Sequence, residues 1–178
     1  MIKLKDLITE NYIHGNPMDD DHKKSLKKTG FWGKQGAGAI IMARTTGRLL
    51  LQLRSNDVQQ GGSWGVWGGA VDSGFSPKEG MVEEVEQETG LHRSQIRETI
   101  PLYVFKDLDT GFKYYNFLIT VDDEFIPRPA ENHEWEIDGF RWIKYGRWPT
   151  PLHFGLTSLI QNSGKKIKNI IYDLGEKT

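Results

Sequence analysis

Two glutamates four residues apart, Glu84 and Glu88, carry the most pointed chemistry in this chain. They lie in the stretch GGAVDSGFSPKEGMVEEVEQETGL, residues 68–91. On a helix, positions i and i+4 are neighbours, so the two carboxylates repel by roughly a few tenths of a kcal/mol. A divalent cation between them relieves that repulsion, and hard oxygen ligands suit Mg²⁺, Mn²⁺ or Ca²⁺. The plain alternative is a solvated acidic face with no ligand at all.

The helix that must position them is well punctuated. Ser76 is a good N-cap, Pro77 suits the first helical position, and Glu79 three residues after Ser76 completes a capping box. Gly90 is a natural residue just past the C-terminus, so the signals predict a helix over 77–89. At about 100° per residue, Met81, Val82, Val85 and Thr89 share a core-facing arc. Glu79, Glu83 and Glu86 fall opposite, toward water, and Gly80, Glu84, Gln87 and Glu88 form a stripe between. The helix holds five Glu and one Lys, an imbalance that places acidic charge at the negative end of its dipole.

With the preceding glycines and the Thr-Gly-Leu ending, the stretch resembles the box of the Nudix hydrolases, G-x5-E-x7-R-E-U-x-E-E-x-G-U with U apolar. Laid on Gly69, the chain keeps Gly69, Glu84, Val85, Glu88, Gly90 and Leu91 in register. It departs at Phe75, where the first Glu is expected, at Glu83 in place of Arg, and at Gln87 in place of the first Glu of the pair. In the family that Glu and Arg brace one another, and here both are gone together, so neither leaves an unpaired mate. Gln87 removes one negative charge from the metal cluster, while its amide oxygen can still serve as a neutral ligand.

The resemblance covers about residues 36–162 and implies a Nudix fold: α/β, an α/β/α sandwich with a mixed central sheet. It implies metal-dependent cleavage of the pyrophosphate of a nucleoside diphosphate linked to another moiety, with Mg²⁺ or Mn²⁺ as cofactor. Glu84, Gln87, Glu88 and the backbone carbonyl of Gly68 are the expected metal ligands. Glu84, Glu88 and Glu134, the last in a loop before the final core strand where Nudix enzymes can carry a metal-binding or basic Glu, are the catalytic candidates. Arg54, Trp67 and Phe75 are the expected substrate contacts: an Arg at that strand end near phosphate, an indole able to stack on a base, and the aromatic inside the box itself. Against these stand plainer readings, a surface charge for Arg54, a core aromatic for Trp67 and a surface carboxylate for Glu134. The rival function is a degenerate Nudix domain that binds a nucleotide or a protein partner without hydrolysis.

Around the box, Ala37–Ala43 and Leu49–Leu53 read as paired strands, as do Ile100–Lys106 and Lys113–Val121, with a further strand at Ile137–Ile143. Pro151–Gln161 suggests a closing helix capped by Thr150, and Ile167–Leu174 a late strand. Residues 1–30 read as an N-terminal arm or short helix, and 31–178 as a single Nudix-like domain. The 178 residues suffice for one substantial core. The 23 Lys plus Arg against 24 Asp plus Glu leave a net charge of −1, which gives no general electrostatic case for nucleic acid or membrane surfaces. The absence of cysteine removes disulfides, thiolate zinc sites and a Cys nucleophile, and fits a cytoplasmic location. No apolar run approaches the ~18 residues of a membrane span. The five His show no zinc-site spacing, and neither a P-loop nor a G-x-S-x-G elbow is present. A nucleotide-type small molecule is therefore the expected partner, with the oligomeric state left open.

Overall fold

The structure is a computed structural model that describes residues 24, 27, 28, 30, 31, 33–58, 60–131 and 133–175. The expected N-terminal arm lies almost wholly outside the described residues. Seven strands form one mixed sheet: β1 (Gln35–Ala43), β2 (Leu49–Arg54), β3 (Trp64–Gly65), β4 (Trp67–Ala70), β5 (Glu98–Lys106), β6 (Lys113–Val121) and β7 (Ile137–Ile143). The helices α1 (Pro77–Thr89) and α2 (Phe154–Gly175) accompany them among the described residues. β1 runs parallel to β6. The remaining pairings, β1 with β2 and β4, β2 with β3 and β7, and β5 with β6, are antiparallel.

β1 explains the sandwich. Its run GAGAIIMA is buried from Gly36 to Ala43, as a strand covered on both faces must be. Alternation sends Ala37, Ala39, Ile41 and Ala43 to one side, where they pack with Met81, Val85 and Leu91 from α1 and the turn after it. Ile40 and Met42 go to the other side, against Leu156, Leu159 and Ile167 of α2. The small alanines on the α1 side leave room for Trp67, which is fully buried.

α1 ends where its signals place them. Ser76 accepts from the Glu79 N–H, the Glu79 carboxylate accepts from the Ser76 N–H, and Gly90 takes the left-handed conformation at φ 70°. The predicted faces hold for Met81, Val85 and Thr89, but Glu83 and Glu86 are half-buried rather than facing water. Glu86 is drawn to Arg93, at 2.8 Å.

The expected late strand at Ile167–Leu174 is instead the second half of α2, which runs unbroken for 22 residues. Its start is Phe154 rather than Pro151, with His153, not Thr150, receiving the cap bond: the Gly155 N–H donates to His153 Nδ1 at 3.1 Å. Within α2, Gly164 lets Tyr145 pack close, since a Cβ there would meet the Tyr145 hydroxyl at 2.8 Å. Among the described residues no helix is long and apolar enough to cross a membrane.

Met81 joins helix to sheet at 0% exposure, whereas Leu108 at the β5–β6 turn is 91% exposed. Met81→Ala is expected to lower unfolding free energy by about 2–5 kcal/mol. Leu108→Ala is expected to stay within about 0.5 kcal/mol of the unmodified protein. Urea titrations of both variants check the pair.

Candidate active site

The site forms where α1 crosses the β4 glycines. Gly68 pairs with Gly38 of β1 at φ 142°, and a Cβ on it would lie 2.3 Å from the Ala37 carbonyl oxygen. Only glycine permits that approach. The result is a backbone N–H aimed at the helix: Gly68 N–H donates to Glu88 Oε2 at 2.7 Å. The next residue, Gly69, faces the other carboxylate, since a Cβ there would fall 2.7 Å from Glu84 Oε1. The two glutamates picked out by spacing thus meet two glycine backbones at one junction.

Burial dominates the electrostatics. Glu88 is 3% exposed. Desolvation, followed by repulsion from Glu84 and Glu136, holds its carboxyl well above the usual range, and the nearby positive charge of Arg54 is outweighed. Glu84 is pushed up to about 8, by burial first and then by Glu136, with His133 working in the opposite direction. Asp72 and Glu83 add smaller repulsions.

The loop before β7 carries a second carboxylate beside the expected Glu134. Glu134 is exposed, whereas Glu136 is half-buried and is the loop carboxylate that Glu84 and Glu88 both feel. Residues 134–136 form a 3-10 turn, in which i and i+3 lie on one side. His133 and Glu136 therefore face the same way, Nδ1 to Oε1 at 3.3 Å. Glu136 raises the His133 pKa, first through that contact.

Trp67 is not available to a substrate. It is 0% exposed, and its indole N–H donates to the Leu50 carbonyl at 3.2 Å. A strand buried on both faces claims its aromatic for the core. Phe75 is 43% exposed and rims a shallow pocket shared with Asp72, Glu83, Glu84 and Gln87. All three departures from the family's box therefore face one pocket. Arg54, at the end of β2, lies close enough for its charge to act on Glu88, Tyr114 and His153. Tyr114 lies against β1: a Cβ on Gly38 would meet its hydroxyl at 2.3 Å. Burial and the charge of Glu88 raise the pKa of that phenol, which keeps it neutral. Composition marked Tyr114 only as one aromatic among several; its place beside the carboxylates comes from the parallel pairing of β6 with β1.

The donor set fits a hard divalent cation in kind: buried carboxylate oxygens, mutually repelling, with a glycine backbone alongside. It supplies a partial shell. Among the described residues no group of three or more His, Asp and Glu is placed to hold an ion, so water and ligand oxygens would complete the coordination, as suits Mg²⁺.

The raised Glu84 has a thermodynamic signature. Between about 4.5 and about 8 the folded chain holds a proton that the unfolded chain releases, so stability falls as pH rises through that window. In chelator-treated protein the melting temperature is expected to drop from pH 5 to pH 8 and to level off above it. Glu84→Gln is expected to flatten the slope. Thermal scans across pH check this, and a stability that rises over the window would place the carboxylate in water.

The NUDIX domain matches residues 33–161 of the chain. Over 135 residues the chain is 28% identical to a protein from two strains of Mycobacterium tuberculosis, named "Putative 8-oxo-dGTP diphosphatase 3"; the match covers 72% of this chain and 61% of that one. The chain thus spans about three fifths of the length of these curated relatives. Among solved structures it is similar to RenU, a Nudix hydrolase from M. smegmatis, with TM-score 0.63 and 24% identity over 80% of this chain and 89% of that one. It is also similar to a MutT NUDIX hydrolase from Burkholderia pseudomallei, with TM-score 0.57 and 23% identity over 73% and 97% of the two chains. At such identities the structural likeness is one of fold, and it is the domain match, spanning most of the chain and containing the whole glycine–glutamate junction, that shows this chain to belong to the NUDIX domain family.

Proposed function

We propose that the protein is a metal-dependent pyrophosphohydrolase acting on a nucleoside diphosphate linked to another moiety, with Mg²⁺ or Mn²⁺ as cofactor. The observation that carries this reading is the buried, mutually repelling pair Glu84 and Glu88 held against the Gly68-Gly69 backbone. Two mutually repelling carboxylates held out of water cost stability in a purely structural role, but they suit a site that exchanges protons for a cation. The names of the relatives, an 8-oxo-dGTP diphosphatase and a MutT hydrolase, fit the same reaction class.

When bound, the divalent ion supplies charge neutralisation at the pyrophosphate oxygens and acidifies a water. Glu84 and Glu88 would hold it, the Gly68 N–H fixing one oxygen of the Glu88 carboxylate. Gln87, rimming the same pocket, offers a neutral oxygen in place of a third charge. Glu136, with the His133 ring 3.3 Å from its carboxylate, is the candidate to accept the proton of the attacking water. Arg54 reaches toward the phosphates from the β2 end, and Phe75 flanks the pocket mouth.

The full chain is to be assayed against NTPs, nucleotide sugars, ADP-ribose and dinucleoside polyphosphates with Mg²⁺ or Mn²⁺. Turnover is expected to vanish with chelator. Glu84→Gln and Glu136→Gln are each expected to cost about 10² or more in kcat, and Glu134→Gln to stay within about twofold of the unmodified enzyme. Gln87→Glu is expected to tighten Mg²⁺ binding by returning a charge to the pocket. Metal and nucleotide binding without turnover of any compound would replace this reading with that of a non-hydrolytic binder.

A further inference from the structure

Tyr114 is a polar group beside the carboxylates to which the hydrolytic chemistry gives no task. It lies near the start of β6, opposite Gly36 of β1 on one side and Phe105 of β5 on the other. Its neighbour Tyr115 packs with the α1-side core. Strand alternation therefore turns Tyr114 to the α2 side of the sheet, the side of Ile40 and Met42.

The fold makes room for this phenol in its central strand. Glycine weakens a strand interior and marks the close approach of another group. β1 carries Gly36 and Gly38 on the face that Tyr114 shares. A Cβ on Gly36 would fall 2.6 Å from ring carbon Cδ2 and 2.8 Å from Cε2, and a Cβ on Gly38 would strike the hydroxyl. The ring thus lies along β1 in a channel cut by the two glycines. The channel ends at the Gly38–Gly68 pair, beside the Trp67 carbonyl. Gly68 is also the residue whose N–H holds Glu88. The hydroxyl therefore arrives at the glycine–glutamate junction from the α2 side.

A tyrosine buried for structure usually pairs its hydroxyl. Among the described residues the Tyr114 hydroxyl makes no hydrogen bond, and it is not one of the fully enclosed side-chain atoms that lack a partner. It is thus unpaired and open to the cleft. Glu88 and Glu84 act on it with negative charge and Arg54 with positive. Burial, then the Glu88 charge, makes the phenol hold its proton, so it meets a ligand as a donor. Beside a guanidinium, a neutral O–H donor suits an anionic oxygen.

We infer that Tyr114 is a further substrate-binding residue, whose hydroxyl donates a hydrogen bond to a phosphate oxygen of the pyrophosphate group. The inference rests on the pyrophosphohydrolase reading for the class of ligand. In the empty protein such a donor is desolvated and unpaired, which costs stability. A ligand oxygen repairs that loss. Tyr115, one residue on and on the other face, has no part in the contact.

The test compares Tyr114→Phe and Tyr115→Phe with the unmodified full chain. Calorimetry reads the binding of inorganic pyrophosphate with Mg²⁺ present, so that turnover is not needed. Tyr114→Phe is expected to weaken pyrophosphate binding about tenfold, as loss of one hydrogen bond to a charged group does. Tyr115→Phe is expected to leave it unchanged. Mn²⁺ affinity without pyrophosphate is expected to be the same in all three proteins, because the carboxylates hold the ion. The melting temperature of Tyr114→Phe is expected to stay level or rise, since no protein group loses a partner. Pyrophosphate binding that is equal in Tyr114→Phe and the unmodified protein, or absent from both, overturns the contact. A lower melting temperature with weaker Mn²⁺ binding also overturns it and makes Tyr114 a support for the carboxylates. Failure of the hydrolase reading has a different appearance: pyrophosphate binds with the stated pattern while no nucleotide compound is cleaved.

Discussion

The contact between the Gly68 N–H and the Glu88 carboxylate, 2.7 Å long, is the constraint on which the site depends. It fixes the last turn of α1 to β4, and β4 in turn to β1. That contact needs the backbone of Gly68 to pass where a Cβ would strike Ala37. It also needs small residues on the α1 face of β1, so that Trp67 can be buried beneath. A carboxylate with one good donor and little water is poorly solvated, and that shortage of solvation is what makes a cation welcome there.

Electrostatics extend from this junction in two directions. Toward the loop before β7, Glu136 adds repulsion to Glu84 and Glu88 and raises the pKa of His133 beside it. Toward β2, Arg54 opposes the negative charge and keeps His153 from taking a proton.

The altered box is coherent at the level of packing. Phe75, Glu83 and Gln87 border one shallow pocket beside Glu84. An Arg at position 83 without a Glu at 75 would leave a cation lacking its partner, and a Glu at 75 without the Arg would add a further charge to an already repelling cluster. Replacing both avoids an unpaired group. The aromatic at 75 then gives the pocket an apolar rim.

Local chemistry was legible in the sequence wherever a residue's role depended on its immediate neighbours along the chain. Ser76, Pro77, Glu79 and Gly90 determined α1 to the residue, because caps and turns are short-range. The spacing of Glu84 and Glu88 with the preceding glycines pointed to the family, and the apolar runs of β1 and β6 marked the core strands. Contacts between distant segments were decided only by the tertiary structure. Trp67 went to the core because it packs with the α1-side face of β1, and Glu136 came to lie nearer Glu84 and Glu88 than a reading of the loop by position could tell. The predicted late strand at Ile167–Leu174 became the second half of α2, where Ile167 packs against β1 and β2. Tyr114 and His153 acquired their surroundings from strands and loops far away in the chain, and no pattern within either segment records the groups that would press against it.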